Sequence, residues 1–239
     1  SIERLQNPEL FGAFQTARRQ GKVSYLGCSG HDGDLMEVMN YAIQVPEISV
    51  ILCRYNFLAY PTEHKLFKKA REKGVGVIAM KTLAGARGQD LASFKDRYTT
   101  YKQAAMKWVL SNPDITNLII SISSKDQVEE YLQASGRPMR EEEQGALNAY
   151  AAIFGAQVCR MCNTCESACE KGVRVADIAR FRMYEHEYGW IGEGKKFYSK
   201  IPGNQKAVQC LNCAAPCLQS CEYGIDIKKE MSRAHQILT

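Results

Sequence analysis

The feature that most constrains this chain is the segment from Cys159 to Cys221, which holds eight of the ten cysteines. The eight fall in two runs of four. The first run reads CRMCNTCESAC, with the spacing C-x2-C-x2-C-x3-C, and the second reads CLNCAAPCLQSC, with the spacing C-x2-C-x3-C-x3-C. A cubane cluster needs four thiolates at the corners of a small tetrahedron, and cysteines two or three residues apart let one loop surround three irons. The two runs therefore predict two [4Fe-4S] clusters.

The spacing resembles the ligand runs of bacterial ferredoxins, in which the fourth cysteine of a run binds the other cluster of the pair. This resemblance implies two crossed ligand sets. The first is Cys159, Cys162, Cys165 and Cys221, and the second is Cys210, Cys213, Cys217 and Cys169. Ferredoxin runs usually continue with proline, whereas both runs here continue with glutamate, at Glu170 and Glu222. The difference affects the turn and leaves the ligands in place.

The residues that follow each run indicate an internal duplication. Cys169 begins the stretch CEKGVRV, and Cys221 begins the stretch CEYGIDI. Both stretches place a glycine and alternating β-branched apolar residues where the chain would turn away beneath a cluster. Zinc and disulfides are the alternatives: paired C-x2-C motifs are also typical of zinc sites, although zinc leaves the third and fourth cysteine of each run without a role. Disulfides are disfavoured because intracellular thiols stay reduced.

Length and composition exclude several classes of protein. A chain of 239 residues has room for a sizeable core and two domains. The formal net charge is +5, without a basic run or aromatic-basic interleaving, so we expect no nucleic-acid partner. No apolar run approaches the roughly 20 residues of a membrane span, and the N-terminal residues lack a signal-peptide pattern. We expect a cytoplasmic protein; export through a twin-arginine signal upstream is the alternative.

Before the cysteines, the pattern predicts strands and helices in alternation. A capped helix over residues 8 to 20 is followed by four short apolar runs, each with a helix-like segment after it. Buried apolar runs that alternate with helices are typical of a parallel sheet. The predicted strands are Val23 to Cys28, Ser49 to Tyr55, Gly76 to Lys81 and Asn117 to Ile122, and the predicted helices are Asp34 to Gln44, Thr62 to Lys73, Tyr101 to Asn112 and Lys125 to Ala134.

Three stretches resemble the second half of an aldo-keto reductase. They are GKVSYLGCSGH from Gly21, RYNFLAYPTEHKLFKKAREKGVGVIAMKTLAG from Arg54 and AAMKWVLSNPDITNLIIS from Ala104. In that family they form strands five to eight of a (β/α)8 TIM barrel, whose active site lies at the C-terminal ends of the strands. The resemblance covers about residues 5 to 135, and one branch of the family carries a C-terminal ferredoxin-type extension.

The resemblance implies an α/β fold in two domains. Residues 1–139 would be the C-terminal half of the barrel. Residues 140–239 would be a linking helix, from Arg140 to Phe154, and a mostly α-helical, ferredoxin-like iron-sulfur domain. In that domain we expect helices over Ala176 to Glu187 and Lys228 to Leu238, with the glycines at 189, 192 and 194 loosening the chain between them.

The same resemblance supplies candidate residues for a nicotinamide cofactor. Ser29 matches a serine that meets the nicotinamide amide, but Gly30, Leu52 and Met80 replace the asparagine, glutamine and stacking tyrosine of the family. A nicotinamide dinucleotide, a flavin, or direct supply from the clusters therefore remain open. The retained candidates for the cofactor are Ser29, Lys81, Ser121, Ser123, Lys125 and Glu130, the last standing where the family has the first residue of a Glu-Asn pair.

The catalytic Asp, Tyr, Lys and His of the family lie on strands two to four, which this sequence lacks, so we expect no catalytic residue in this chain. Four βα units cannot close a barrel, which predicts either a piece of a longer protein or a half completed by another chain. His31 sits where barrel chemistry occurs. The leading hypothesis is an iron-sulfur oxidoreductase that acts on a carbonyl or alcohol with a ferredoxin or other electron carrier as partner. The alternative is a non-catalytic electron-transfer or assembly protein.

Overall fold

The computed structural model describes residues 1–30, 34–58, 61–84, 101–186 and 188–239. The chain divides into two compact units. The described part of the first unit comprises residues 1–30, 34–58, 61–84 and 101–147, and that of the second comprises residues 148–186 and 188–239. The division falls inside a helix, Glu141–Phe154. Among the described residues, no helix combines the length and the apolar character needed to cross a lipid bilayer.

Helices and short parallel strands alternate in the first unit. Asn7 accepts a hydrogen bond from the backbone N–H of Glu9 (2.8 Å) and caps the 12-residue helix that begins at Pro8. In chain order the elements are α1 Ile2–Leu5, α2 Pro8–Arg19, β1 Leu26–Gly30, α3 Leu35–Ala42, β2 Ile48–Arg54, α4 Pro61–Glu72, β3 Gly76–Met80, α5 Tyr101–Leu110, β4 Asn117–Leu118, α6 Lys125–Leu132 and α7 Glu141–Phe154.

The described strands form one parallel sheet in the order β1-β2-β3-β4. Leu52 of β2 pairs with Ser29 of β1 on one side and with Ile78 of β3 on the other. Apolar side chains of β2 and β3 pack against α3 and α4 to form the core of this unit. The α/β class and the parallel sheet are therefore confirmed.

Two predicted strands have different bounds, and the pairing explains both differences. The first was expected from Val23 but begins at Leu26, because Leu26 pairs with Ile48 and β2 offers no earlier partner. As a result Ser29 lies inside β1 rather than after it. The last was expected to reach Ile122 but ends at Leu118. Its partner β3 ends at Met80, since the next residue, Lys81, adopts a left-handed backbone with φ of 59°.

The second unit is helical and holds every cysteine of the two runs. Short 3-10 turns connect its helices and carry part of the second run. The α-helices that begin within this unit are α8 Thr164–Ser167, α9 Val175–His186, α10 Glu193–Ser199 and α11 Ile227–Leu238.

Helix α10 lies where the glycines were expected to loosen the chain, so that prediction is wrong. Gly192 and Gly194 instead allow this helix to start and to pack closely. Gly192 takes the left-handed conformation before the first turn, and a Cβ at Gly194 would collide with the carbonyl of Phe181 and come within 2.6 Å of Cγ of Glu185 in α9. The buried Glu185 carboxylate accepts hydrogen bonds from the N–H groups of Gly192 and Lys195, each at 3.0 Å, and so caps α10.

The duplication seen after each cysteine run continues into the fold. Helices α9 and α11 have 12 residues each and pack against each other. Val175 begins the first and Ile227 the second, and each follows the last cysteine of its run at the same distance. Val173 and Ile225 lie two residues before the start of each helix and are buried in the core of this unit. The unit is therefore built from two copies of one cysteine-run-and-helix motif.

Candidate metal centre

Two cavities in the second unit are each lined by four cysteines, and each set draws on both runs. The first cavity has about 580 Å³ of unfilled space, which includes open solvent, and the second has about 360 Å³ on the same measure. The cysteines of the first cavity are Cys159, Cys162, Cys165 and Cys221. Those of the second are Cys169, Cys210, Cys213 and Cys217. The grouping is the same as that of the two predicted ligand sets, although binding of a cluster to either set stays a prediction.

Backbone geometry turns several N–H groups toward the sulfur atoms. Met161, Asn163 and Ala215 all have left-handed backbones, with φ of 58°, 62° and 60°. The N–H of Met161 donates to Sγ of Cys159 at 3.4 Å, and the N–H of Ala215 donates to Sγ of Cys213 at 3.3 Å. Donors aimed at sulfur favour the thiolate and are one of the means by which proteins adjust iron-sulfur sites. Each run thus carries a backbone donor two residues after a cysteine, after the first cysteine of the first run and after the second cysteine of the second run.

Branched apolar residues lie between the two cavities. Val175 and Ile227, the first residues of α9 and α11, line both, while Ile225 lines the first cavity and Val173 the second. All four are at least 90% buried. These are the alternating residues of the duplicated stretches, and they keep water from the inner side of each cysteine set. The sequence analysis predicted these residues at the point where the chain turns away beneath a cluster. Their place along the walls of the two cavities agrees with that prediction.

The buried thiols would resist ionisation without a cation. Burial, followed by the charge of neighbouring thiols and of Glu166, raises the pKa of Cys165 to about 12. Burial and neighbouring thiols raise the pKa of Cys210 to about 11 and that of Cys217 above its ordinary value. A bound metal supplies positive charge that reverses this effect and deprotonates a coordinating thiol. Several thiols of the two sets are thus close enough to affect one another electrostatically.

All ten cysteines, which lie within the described ranges, carry free thiols. Across those same ranges, no group of three or more Cys, His, Asp or Glu side chains is arranged to hold a single metal ion. The residues around each cavity nevertheless match the chemistry of an iron-sulfur site. Each cavity has four thiols, N–H groups that donate to sulfur, and branched apolar side chains along one wall.

Charged residues that the sequence analysis did not single out flank the cavities. Lys228 lines the second cavity and donates from Nζ to the carbonyl oxygen of Cys213 at 2.7 Å. Arg182 and Glu230 line the first cavity as an ion pair with 3.5 Å between Nη2 and Oε2. Alignment of the two copies would have singled out Lys228, because it shows a lysine at the start of α11 where the other copy has Ala176 at the start of α9.

The barrel-end candidates lie at one edge of the sheet. Ser29 is exposed near the end of β1, and Lys81 is half-buried directly after β3. Burial lowers the pKa of Lys81. Its carbonyl oxygen accepts a hydrogen bond from Nδ2 of Asn56 at 3.1 Å, which joins the ends of β2 and β3. Asn56 was not among the predicted residues, and its place directly after an apolar strand was the signal for it.

The remaining candidates follow β4. Ser121, Ser123 and Lys125 are exposed, and both the N–H and the hydroxyl of Ser123 donate to Oε1 of Gln127, at 2.7 and 3.1 Å. Oε2 of Glu130 lies 3.3 Å from Nζ of Lys102, so this carboxylate is already paired. His31 lies outside the described residues. The structure thus places Ser29, Lys81 and Ser121 at or beyond the carboxyl ends of strands, where a barrel site would form.

The chain is similar to several known proteins. Residues 3–96 match the model of the aldo/keto reductase family. The chain is 28% identical over 157 residues to "Uncharacterized oxidoreductase YrpG" of Bacillus subtilis (strain 168), an alignment that covers 53% of this chain and 48% of that protein. The chain thus spans about half the length of the curated relative it matches.

Two solved structures are also similar. Both are of the aldo-keto reductase AKR11C1 from Bacillus halodurans and are 20% identical to this chain. The alignment with the holo form covers 58% of this chain and 54% of that chain, with a TM-score of 0.43. The alignment with the apo form covers 60% of this chain and 57% of that chain, with a TM-score of 0.44. The similarity to the aldo/keto reductase family thus covers residues 3–96, most of which lie in the first unit.

Proposed function

We propose that this chain is part of an iron-sulfur oxidoreductase of the aldo-keto reductase type. The second unit would hold two [4Fe-4S] clusters, and the first would contribute to a barrel site for a carbonyl or alcohol. The family match over residues 3–96 and the relative named as an oxidoreductase support the barrel part of this proposal. One-electron transfer is the chemistry that clusters supply when bound.

One observation carries the iron-sulfur part: the two cavities divide the eight cysteines into crossed sets of four. An arrangement of independent zinc knuckles would keep the cysteines of each run together. The crossing instead follows the ligand pattern of two-cluster ferredoxins, in which the fourth cysteine serves the other cluster.

The protein residues around the cavities have three tasks. The thiolates bind iron, and the N–H groups of Met161 and Ala215 stabilise the charge on sulfur. The branched side chains of α9 and α11 exclude water from the inner faces. Cys162 is the exposed cysteine of the first set, whereas Cys210 and Cys217 of the second set are buried. The first site is therefore the one from which exchange with a soluble carrier such as a ferredoxin is expected.

On the barrel side, the proposal leaves the two-electron carrier open. Ser29, Lys81 and the serines after β4 could meet an NAD(P) amide or phosphate or a flavin phosphate, because hydroxyl and ammonium groups donate to such oxygens. Leu52, inside β2, and Met80, the last residue of β3, offer no polar contact to a nicotinamide amide. This last observation favours a second candidate function, a non-catalytic electron-transfer or assembly partner.

The first test asks whether the predicted crossing is real. Anaerobic reconstitution of the chain should give a brown protein with about eight iron and about eight acid-labile sulfide atoms per chain. In a background with Cys159, Cys162 and Cys165 all replaced by alanine, about four iron atoms should remain. Adding Cys169→Ala should disrupt that remaining cluster, whereas adding Cys221→Ala should leave its iron content and its EPR signal unchanged.

Three outcomes contradict the proposal. A colourless protein that binds zinc and no sulfide would show a structural zinc domain. Dependence of the remaining cluster on Cys221 rather than on Cys169 would show uncrossed ligands. Normal clusters with no oxidation of alcohols or reduction of carbonyls by the complete protein, supplied with each carrier in turn, would favour the non-catalytic alternative.

A further inference from the structure

The two cysteine sets differ in the charge placed beside them, although they are copies of one motif. Ala176 and Lys228 occupy the same position, the second residue of α9 and of α11. Ala176 lines the first cavity, and Lys228 lines the second. A neutral methyl group in one copy is thus replaced by an ammonium group in the other.

The ammonium of Lys228 is fixed close to the second set. Nζ donates to the carbonyl oxygen of Cys213, 2.7 Å away, and the side chain is only partly exposed. Its positive charge also acts on the Cys210 thiol, in opposition to burial and to the neighbouring thiols. A charge held this near, away from bulk water, is screened much less than one on an open surface.

Other charges near the cavities leave this difference in place. In the first cavity, the guanidinium of Arg182 is paired with Glu230, and Arg160 donates to the carbonyls of Gly155 and Val158 while Glu166 stands beside Cys165. In the second cavity, the other charged residues are Glu170 and Lys171, which are exposed and opposite in sign. The residues that line the first cavity carry two positive charges and one negative charge, and Glu166 beside Cys165 adds a second negative charge. At the second cavity Lys228 is the positive charge in excess.

We propose that Lys228 raises the reduction potential of the cluster held by Cys169, Cys210, Cys213 and Cys217. The inference rests on the proposed function. Uptake of one electron from a reductant makes a thiolate-bound cluster one unit more negative and breaks no bond. A nearby positive charge stabilises the reduced form more than the oxidised form, so the potential rises. Lys228 would thereby give two duplicated sites different potentials and a direction to electron flow between them.

The test is a potentiometric titration of the reconstituted chain with dithionite, followed by EPR. Lys228→Gln keeps a donor for the Cys213 carbonyl and removes the charge, so one of the two midpoint potentials should fall while the other stays unchanged. Lys228→Arg keeps the charge and should restore the parent value. The shift produced by Lys228→Gln should shrink as ionic strength rises.

Lys229→Gln is the matched control. It removes the same charge from the adjacent, exposed position on α11, which lines neither cavity, and should leave both potentials near their parent values. Unchanged potentials in Lys228→Gln, with full iron and sulfide content, would overturn the inference and leave the clusters intact. An equal shift in Lys229→Gln would also overturn it. Absence of clusters in the parent chain would instead overturn the proposed function.

Discussion

At the scale of single residues, the described part of the first unit contains a buried ion pair. Nζ of Lys107 in α5 is 2.7 Å from Oε1 of Glu143 in α7, and both side chains are buried. The N–H of Arg140 donates to the other carboxylate oxygen at 2.8 Å. Removal of one partner from such a pair leaves an uncompensated buried charge, which costs about 3–5 kcal/mol.

Glu143→Gln should therefore destabilise the first unit at neutral pH and weaken its acid sensitivity. Burial alone would raise the pKa of Glu143, but hydrogen bonds from Lys107 and Arg140 outweigh burial and lower it below its ordinary value of 4.5. A carboxyl with a lowered folded pKa adds stability above the unfolded pKa, and that stability disappears as the pH falls through the folded pKa. Urea unfolding from pH 7 down to pH 3 checks both effects.

Glu142→Gln is the control for this experiment. Its side chain is 74% exposed on the same helix, so the change should alter the free energy of unfolding by less than about 0.5 kcal/mol. A Glu143→Gln variant as stable as the parent at pH 7 would mean that the ion pair contributes nothing.

At the scale of elements, apolar periodicity located the helices and strands well, while pairing set their ends. The first predicted strand contains Val23 and Tyr25, yet both residues precede β1 and are exposed, because β2 has no partner for them. Likewise, β4 stops at Leu118 because Lys81 turns away from the sheet. Such ends depend on the neighbouring strand, which a single stretch of sequence does not reveal.

Helix α10 was missed for a different physical reason. Three glycines in six residues, at 189, 192 and 194, disfavour a helix, since each glycine inside one costs roughly 1 kcal/mol. Only Gly194 lies inside α10. Here Gly194 is required by the close approach of α9, and the Glu185 carboxylate caps the first turn from the neighbouring helix. Both contacts are tertiary. The grouping of the eight cysteines, by contrast, follows from spacing and from the ferredoxin resemblance.

Gly194→Ala should loosen α10 from α9, because the added methyl group has no space against the Phe181 carbonyl. We expect a loss of about 1–3 kcal/mol in the free energy of unfolding of the second unit. Gly145→Ala provides the contrast: this glycine lies in α7 with open space around its Cβ position, so alanine should add up to about 1 kcal/mol. Equal effects of the two substitutions on thermal unfolding would refute the packing argument.

At the scale of the whole chain, the proposed clusters would contribute to the stability of the second unit and not to that of the first. The core of the second unit includes Cys210 and Cys217 and packs against four more cysteines of the two cavities. The core of the first unit is a sheet covered by α3 and α4. Folding free energy that comes from metal binding is lost when the metal is removed.

Removal of iron by a chelator should therefore loosen the second unit alone. We expect amide hydrogen exchange in α9 and α11 to accelerate by about tenfold or more, equivalent to about 1.4 kcal/mol, while exchange in β2 stays constant. Mass spectrometry of peptides from both units measures the two together. Uniform exchange before and after chelation would show that the cysteine cavities contribute nothing to stability.

The crossing of the cysteine sets also bears on how such a unit arose. Each copy of the motif supplies three cysteines to one cavity and its last cysteine to the other cavity. A shorter ancestor with one copy could complete neither cavity by itself. Two identical molecules, related by a twofold axis, would complete both, so gene fusion of a symmetric homodimer would account for the present arrangement.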